Sequence, residues 1–179
     1  MKSLLLTSFA PWEDHHRTNA SDDLLAAVGE GRRPALGHRD PLPGQLHYLR
    51  QLPVDFAAAP AQIIAAITAL KPDGVVLCGM AEGRSHLSVE SNGCHYPNPE
   101  QVLHTSVQLD HLIATCTHTR ISHDAGQFVC GHTYYEVLRY LNRSIPCVFV
   151  HVPVLTEDRR THVIDDFIVV LQQMHRLTL

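Results

Sequence analysis

Charge is scarce in this sequence. Asp, Glu, Lys and Arg make up 18% of it, below the roughly 25% of an average soluble domain. With hydrophobic residues at 45%, that composition excludes a disordered chain, which is highly charged and poor in apolar side chains. Basic runs are missing too. Nothing exceeds the pair Arg32 and Arg33, and the formal net charge is -4, so no stripe exists to lie along a phosphate backbone and no nucleic acid partner is expected. Long apolar runs are absent: Pro60, Gln62 and Thr68 interrupt the richest stretch, which leaves no span near the roughly 20 residues of a membrane helix and no membrane partner. Behind Lys2 only Leu4 to Leu6 are continuously apolar, short of the about 7 residues of a secretory signal core. The five cysteines, at 78, 94, 116, 130 and 147, include no C-x-x-C pair. Their odd number argues against a disulfide framework, and reduced thiols fit a cytoplasmic protein.

What is present fits one domain spanning residues 1–179, long enough to bury a core without staples. Ser3 to Phe9 is a short apolar run bounded by Pro11 and predicts a buried first strand. Ser21 is expected to cap a helix that Gly29 and Gly31 stop, with Asp22 and Asp23 complementing the positive end of its dipole. Gly31 to Gly44 predicts a surface loop, Leu46 to Val54 a strand, and the alanine-rich stretch Ala57 to Leu70 a helix with Pro60 in its first turn. Gly74 to Cys78 predicts a buried strand, His86 to Glu90 an alternating edge strand, and Asn92 to Pro99 a loop. Leu109, Leu112 and Ile113 are spaced for a short helix inside an otherwise ambiguous stretch. Cys130 to Leu141 predicts a helix, Cys147 to Val152 an apolar strand ended by Pro153, and Glu157 to His175 a last helix. Strands alternating with helices predict an α/β class: a three-layer α/β/α sandwich with a largely parallel central sheet and its site at the carboxyl ends of the strands.

Cys130 falls where the apolar Gln127 to Val129 segment gives way to a helix start, behind Ala125 and Gly126. A helix N-terminus offers free amides and a positive dipole end, so the thiol pKa is expected to fall from about 8.5 toward neutrality. A nucleophile needs a base. His151 follows 21 residues later at the end of CVFVHV, and one helical crossover brings both to the same rim. A carboxylate holds such an imidazole in one tautomer. Glu90 is the candidate, with Asp124 competing, and the glycines of Gly79 to Arg84 allow amides to approach a substrate carbonyl. Each residue also has a plainer role: cysteine as a small core hydrophobe, as read for Cys78 and Cys147, histidine as a hydrogen-bonded core residue, Glu90 as a solvated edge residue. Fourteen histidines raise a metal reading through Cys130, His132 and His123, but no H-E-x-x-H helix occurs and no metal is assigned; His15 and His16 are expected to be exposed in a polar loop.

In order along the chain stand Thr7-Ser8-Phe9-Ala10-Pro11-Trp12, Asn19-Ala20-Ser21, Leu52-Pro53-Val54-Asp55-Phe56, Pro72-Asp73-Gly74-Val75, then Gly79, Ala81, Gly83 and Arg84 with Glu90 six residues on. Ala125-Gly126-Gln127-Phe128-Val129-Cys130-Gly131-His132 and His151-Val152-Pro153 complete the series. Together these resemble pyroglutamyl peptidase I, also called pyrrolidone-carboxylate peptidase, a family of cysteine peptidases that remove N-terminal pyroglutamate. The resemblance implies a Cys130, His151 and Glu90 triad, no cofactor, and a slot in which Phe9, Trp12 and Phe128 sandwich the flat lactam, with Asn19, Met80 and Arg84 also on the substrate side. Against the family pattern, Glu13 and Asp14 stand for two glycines, Met80 and Glu82 for Gln and Gly, and Gly131 for Asn. The stretch between Glu90 and Cys130 is shortened and lacks a P-D-N segment. The expected activity is hydrolysis after an N-terminal pyroglutamyl residue, on a small peptide or N-acyl amide, with homo-oligomerisation left open. The alternatives are a thiol amidase for another N-acyl group, or a binding or metal module on a degenerate peptidase scaffold.

Overall fold

The computed structural model describes residues 2–13, 15–30 and 44–178. Eight strands and five helices occur among them: β1 (Ser3–Phe9), α1 (Ala20–Gly29), β2 (Gln45–Leu52), α2 (Ala58–Leu70), β3 (Gly74–Met80), β4 (Leu87–Glu90), β5 (Asn92–Cys94), β6 (Val102–His104), α3 (Leu109–Leu112), β7 (Thr119–Ser122), α4 (Val129–Leu141), β8 (Cys147–Val152) and α5 (Glu157–Leu177). The main sheet runs β2-β1-β3-β8-β4-β7. All neighbours are parallel except β4 and β8, so β4 and β7 run against the other four. The expected sandwich with a largely parallel sheet is what forms.

Alternation along the apolar strands divides the core. Leu4, Leu6, Val76, Val148 and Val150 face α1 and α5, whereas Leu5, Val75, Leu77, Cys147 and Phe149 face α2 and α4. Buried on both faces, these strands carry no polar stripe, which is why they read as continuous apolar runs. In α5, Phe167 and Leu171 are fully buried, each contributing about 1.5–3 kcal/mol by leaving water.

Several local expectations are corrected. Asn19, not Ser21, is the N-cap of α1; its side chain accepts the Ser21 amide at 3.0 Å, and the Ser21 hydroxyl donates to the same oxygen at 2.7 Å. The loop expected from Gly31 to Gly44 lies, except for Gly44, outside the described residues. The α2 start is held by Asp55, whose carboxylate accepts the Ala57 and Ala58 amides at 2.9 and 2.7 Å. Asn92 to Pro99 is not all loop, because β5 pairs with β6 in a small antiparallel ladder. The largest difference is β4. It is no edge strand but lies between β8 and β7 with every residue buried. Thr119–Ser122, too short and polar to stand out in the sequence, forms the edge instead.

Candidate active site

Cys130 is the second residue of α4, after the N-cap Phe128. Its sulfur lies over β3 at Gly79: a Cβ there would fall 2.8 Å from Cys130 Sγ and 2.8 Å from the Phe149 ring. Gly79 is thus required by close approach. Across the parallel ladder Gly79 is the register partner of His151, so strand pairing brings His151 to the level of the sheet over which the thiol lies. One pocket of about 140 Å³ is lined by Cys130 and His151 together with Phe9, Trp12, Asn19, Val54, Met80, Ala125 and Phe128.

The third group stands behind the histidine. Glu90 is wholly buried, and its Oε1 lies 2.7 Å from His151 Nδ1. With the carboxylate ionised, Nδ1 carries the proton and donates, which leaves Nε2 as the basic atom of the ring. Arg84 Nη1 donates to the same Oε1 at 2.5 Å, and its Nη2 donates to the Asp124 carbonyl at 2.8 Å. Asp124 turns its own carboxylate to the Gly126 amide at 2.9 Å, so the competing carboxylate braces the turn before α4 rather than the histidine. The Glu90 reading as a solvated residue is overturned by the central position of β4.

The expected depression of the thiol pKa is also overturned. Cys130 as a residue is half-buried, but burial of the sulfur pushes its thiol up to about 12, the Glu90 carboxylate adds to the rise and Arg84 opposes it. Desolvation outweighs the dipole of a helix end that is itself covered. Burial thus favours the neutral form of the sulfur, and its ionisation is expected to depend on a neighbour that takes the proton.

The other substrate-side candidates divide. Phe9 is buried at the pocket floor, while Trp12 and Phe128 are each close to half exposed, with ring centroids 5.5 Å apart. Phe56 extends this wall, edge-on to Phe128 at 5.5 Å and stacked on Tyr96 at 4.3 Å. Asn19 lines the pocket and donates from Nδ2 to the Ala10 carbonyl at 3.1 Å. Met80 lines it too, with its sulfur 3.4 Å from the Ala20 amide. Arg84 is absent from the lining and serves Glu90 instead. Val54 and Ala125 were missed: nothing in their chemistry marks them, and only the fold brings them to the pocket. In the turn after β3 the Ala81 and Arg84 amides are already engaged, by the Val152 and Ala81 carbonyls.

The departures from the family pattern have local reasons. At Gly131 a Cβ would fall 1.9 Å from the Gly126 carbonyl oxygen, so an asparagine cannot be seated while the loop before α4 lies against the helix. The Cys130, His132 and His123 metal grouping does not assemble. His132 Nδ1 accepts the Tyr96 amide at 3.1 Å and His123 Nδ1 pairs with the Ser91 hydroxyl at 2.9 Å. His16 is not exposed as expected: its side chain is 6% accessible and contacts Glu82.

A thiol on a helix start, an imidazole on the neighbouring strand and a buried carboxylate behind it are the parts that covalent hydrolysis through sulfur requires. Known proteins similar in sequence and in fold are found. A pyrrolidone-carboxylate peptidase of Erwinia tasmaniensis is 29% identical over 186 aligned residues, covering 90% of this chain and 83% of that protein. One from Vibrio parahaemolyticus is 29% identical over 181, covering 88% and 81%. The crystal structure of pyroglutamyl peptidase I from Bacillus amyloliquefaciens superposes with a TM-score of 0.79 at 20% identity, covering 97% of this chain and 95% of that one. No family model matches the chain. Over about nine-tenths of its length the chain is thus similar to proteins named pyrrolidone-carboxylate peptidase, as its motifs indicated.

Proposed function

We propose that the protein is a cysteine peptidase of the omega type that hydrolyses the amide bond after an N-terminal pyroglutamyl residue, with Cys130 as nucleophile, His151 as base and Glu90 as its orienting carboxylate. The observation that carries this reading is the 2.7 Å contact of His151 Nδ1 with a fully buried Glu90, on the wall of a pocket that Cys130 shares. Similarity to proteins named pyrrolidone-carboxylate peptidase over nine-tenths of the chain supports the substrate.

The sulfur passes its proton to His151 Nε2 and attacks the carbonyl carbon, giving a tetrahedral oxyanion. The first-turn amides of α4 have no intrahelical acceptors and are the donors offered to that oxygen. His151 returns the proton to the leaving amine, the C–N bond breaks, and a thioester remains on Cys130. Water deprotonated by His151 then releases the acid and the free thiol. Substrate binding falls to Phe9, Trp12 and Phe128, whose ring faces suit an uncharged planar lactam, with Asn19 and Met80 at the edge and Arg84 holding Glu90. A pocket of about 140 Å³ suits one small acyl group rather than a peptide side. No step needs a cofactor. We place the whole chain in one peptidase domain working in the cytoplasm, where free thiols persist; all five cysteines are free.

The test is fluorophore release from a pyroglutamyl amide by the wild-type protein and by Cys130→Ala. Release is expected from the wild type and a loss of roughly 10⁴-fold or more in the variant; equal release from both overturns the assignment. A second reading keeps the three groups but changes the N-acyl substrate, and Glu82 and Met80 beside the pocket favour it. Silence on pyroglutamyl amide with turnover of another N-acyl amide, lost in Cys130→Ala, would select it.

A further inference from the structure

We propose that His15, His16 and Glu82 form a binding site for a divalent transition-metal ion of the zinc class, at the rim of the pocket and separate from the thiol. One ligand atom from each of the three lies within 4.8 Å of the others, and a tetrahedral ion with bonds of about 2.1 Å sets its ligands roughly 3.4 Å apart. Small side-chain rotations close that difference. Two imidazoles and a carboxylate are a donor set that zinc, cobalt and nickel accept.

The nitrogens of His15 point at two carboxylates. His15 Nδ1 lies 3.3 Å from Glu13 Oε2, while its Nε2 lies 3.4 Å from Glu82 Oε1. A neutral imidazole carries a single N–H. In that form one of its nitrogens turns a lone pair toward a carboxylate oxygen, a repulsion that either a second ring proton or a metal ion between the two atoms removes. When Nδ1–H donates to Glu13, the lone pair of Nε2 points at Glu82, and a metal ion there converts the repulsion into two bonds. A carboxylate on the far nitrogen is also what fixes the tautomer of a metal-ligating histidine. His16 Nε2 meets the same Glu82 oxygen, and its ring lies 4.1 Å from that of His15.

The other convergent group among the described residues, His95, His132 and Glu136, fits less well. His132 Nδ1 already accepts the Tyr96 amide, and Glu136 is paired with Arg139 at 2.5 Å. The His15 site instead joins two separate loops. His15 and His16 follow Trp12, and Glu82 follows Met80, both pocket residues. An ion bound there ties the two sides of the rim together.

Trp12 is the sole tryptophan of the chain, and its ring lies 5.9 Å from that of His16. Cobalt(II) bound at the site quenches tryptophan emission, so the protein carries its own reporter. The experiment is a cobalt(II) titration of the full chain, followed by Trp12 fluorescence and by the visible d–d spectrum. Expected are saturable quenching at one equivalent in the wild type and in Cys130→Ala, and affinity at least tenfold weaker in His15→Ala and Glu82→Gln. Both loop variants are at exposed residues, and far-ultraviolet circular dichroism verifies their fold. Quenching that is absent in the wild type, or unchanged in both loop variants, overturns the site. So does a sulfur-to-cobalt charge-transfer band that Cys130→Ala removes together with the quenching, because the ion would then be on the thiol.

Discussion

Two buried carboxylates, each paired with an arginine, stand on opposite faces of the sheet and do different work. Asp22, 7% exposed, has both oxygens engaged: Oδ1 accepts from the Ser8 hydroxyl at 2.7 Å and Arg50 Nε at 2.8 Å, and Oδ2 from Arg50 Nη2 at 2.9 Å and Gln51 Nε2 at 3.1 Å. Glu90, fully buried, concentrates its contacts on Oε1, shared by Arg84 and His151, and its Oε2 meets no hydrogen-bond partner among the described residues. Burial raises the pKa of Asp22, but the bonds from Arg50, Ser8 and Gln51 outweigh it and hold the carboxyl below its usual value of 3.8. A saturated carboxylate locks α1 to β1 and β2. An unsaturated one facing a histidine instead suits the role proposed for Glu90, to hold an imidazole and stabilise its protonated form.

The comparison can be broken by exchanging each charge for its isosteric amide. Glu90→Gln is expected to lower pyroglutamyl amide hydrolysis about 10⁴-fold, because an amide no longer enforces the Nδ1–H tautomer; steady-state rates with a folded, monodisperse variant measure it. A loss below tenfold would make Glu90 a second structural carboxylate. Gly79→Ala tests the close approach behind the site. The added methyl meets Cys130 Sγ and the Phe149 ring, so activity is expected to fall at least tenfold, with about 1–3 kcal/mol lost in urea denaturation. Asp22→Asn is expected to change activity less than twofold while costing about 1–3 kcal/mol of stability. Its pH signature follows from the depressed pKa. The contribution of Asp22 is complete above about pH 4 and is lost as pH falls through its lowered folded pKa, so the wild type loses in acid an increment that Asp22→Asn never had. Parallel acid profiles for the two proteins would contradict that role.

How much of this was legible depended on whether the chemistry was local. The runs at Ser3–Phe9, Gly74 to Cys78 and Cys147–Val152 announce buried parallel strands because both their faces are covered, the second continuing to Met80 in the structure. Cys130 and His151 followed from their places at a helix start and a strand end. Glu90 reads as an edge residue in the sequence because the strand that covers it, Thr119–Ser122, is short and mostly polar. Asn19 outcompeted Ser21 as a cap because the Ser21 hydroxyl is drawn to the Phe9 amide, at 3.2 Å, as well as to Asn19. The thiol pKa was read from the dipole alone. Burial is a tertiary quantity, and it decides the sign here. His16 reads as an exposed loop residue in the sequence because its partner, Glu82, lies 66 residues away.

One proton decides whether the sulfur ionises. With the Cys130 thiol held near 12 by burial, a thiolate at neutral pH exists only if His151 takes the proton. The direct measurement is the rate of iodoacetamide modification of Cys130 between pH 6 and 9, followed by peptide mapping in the wild type and in His151→Ala. The prediction is measurable modification of the wild-type residue at neutral pH, well ahead of the buried Cys78 and Cys147, and a fall of about 100-fold or more without the imidazole. Equal rates in the two proteins across that range would contradict it.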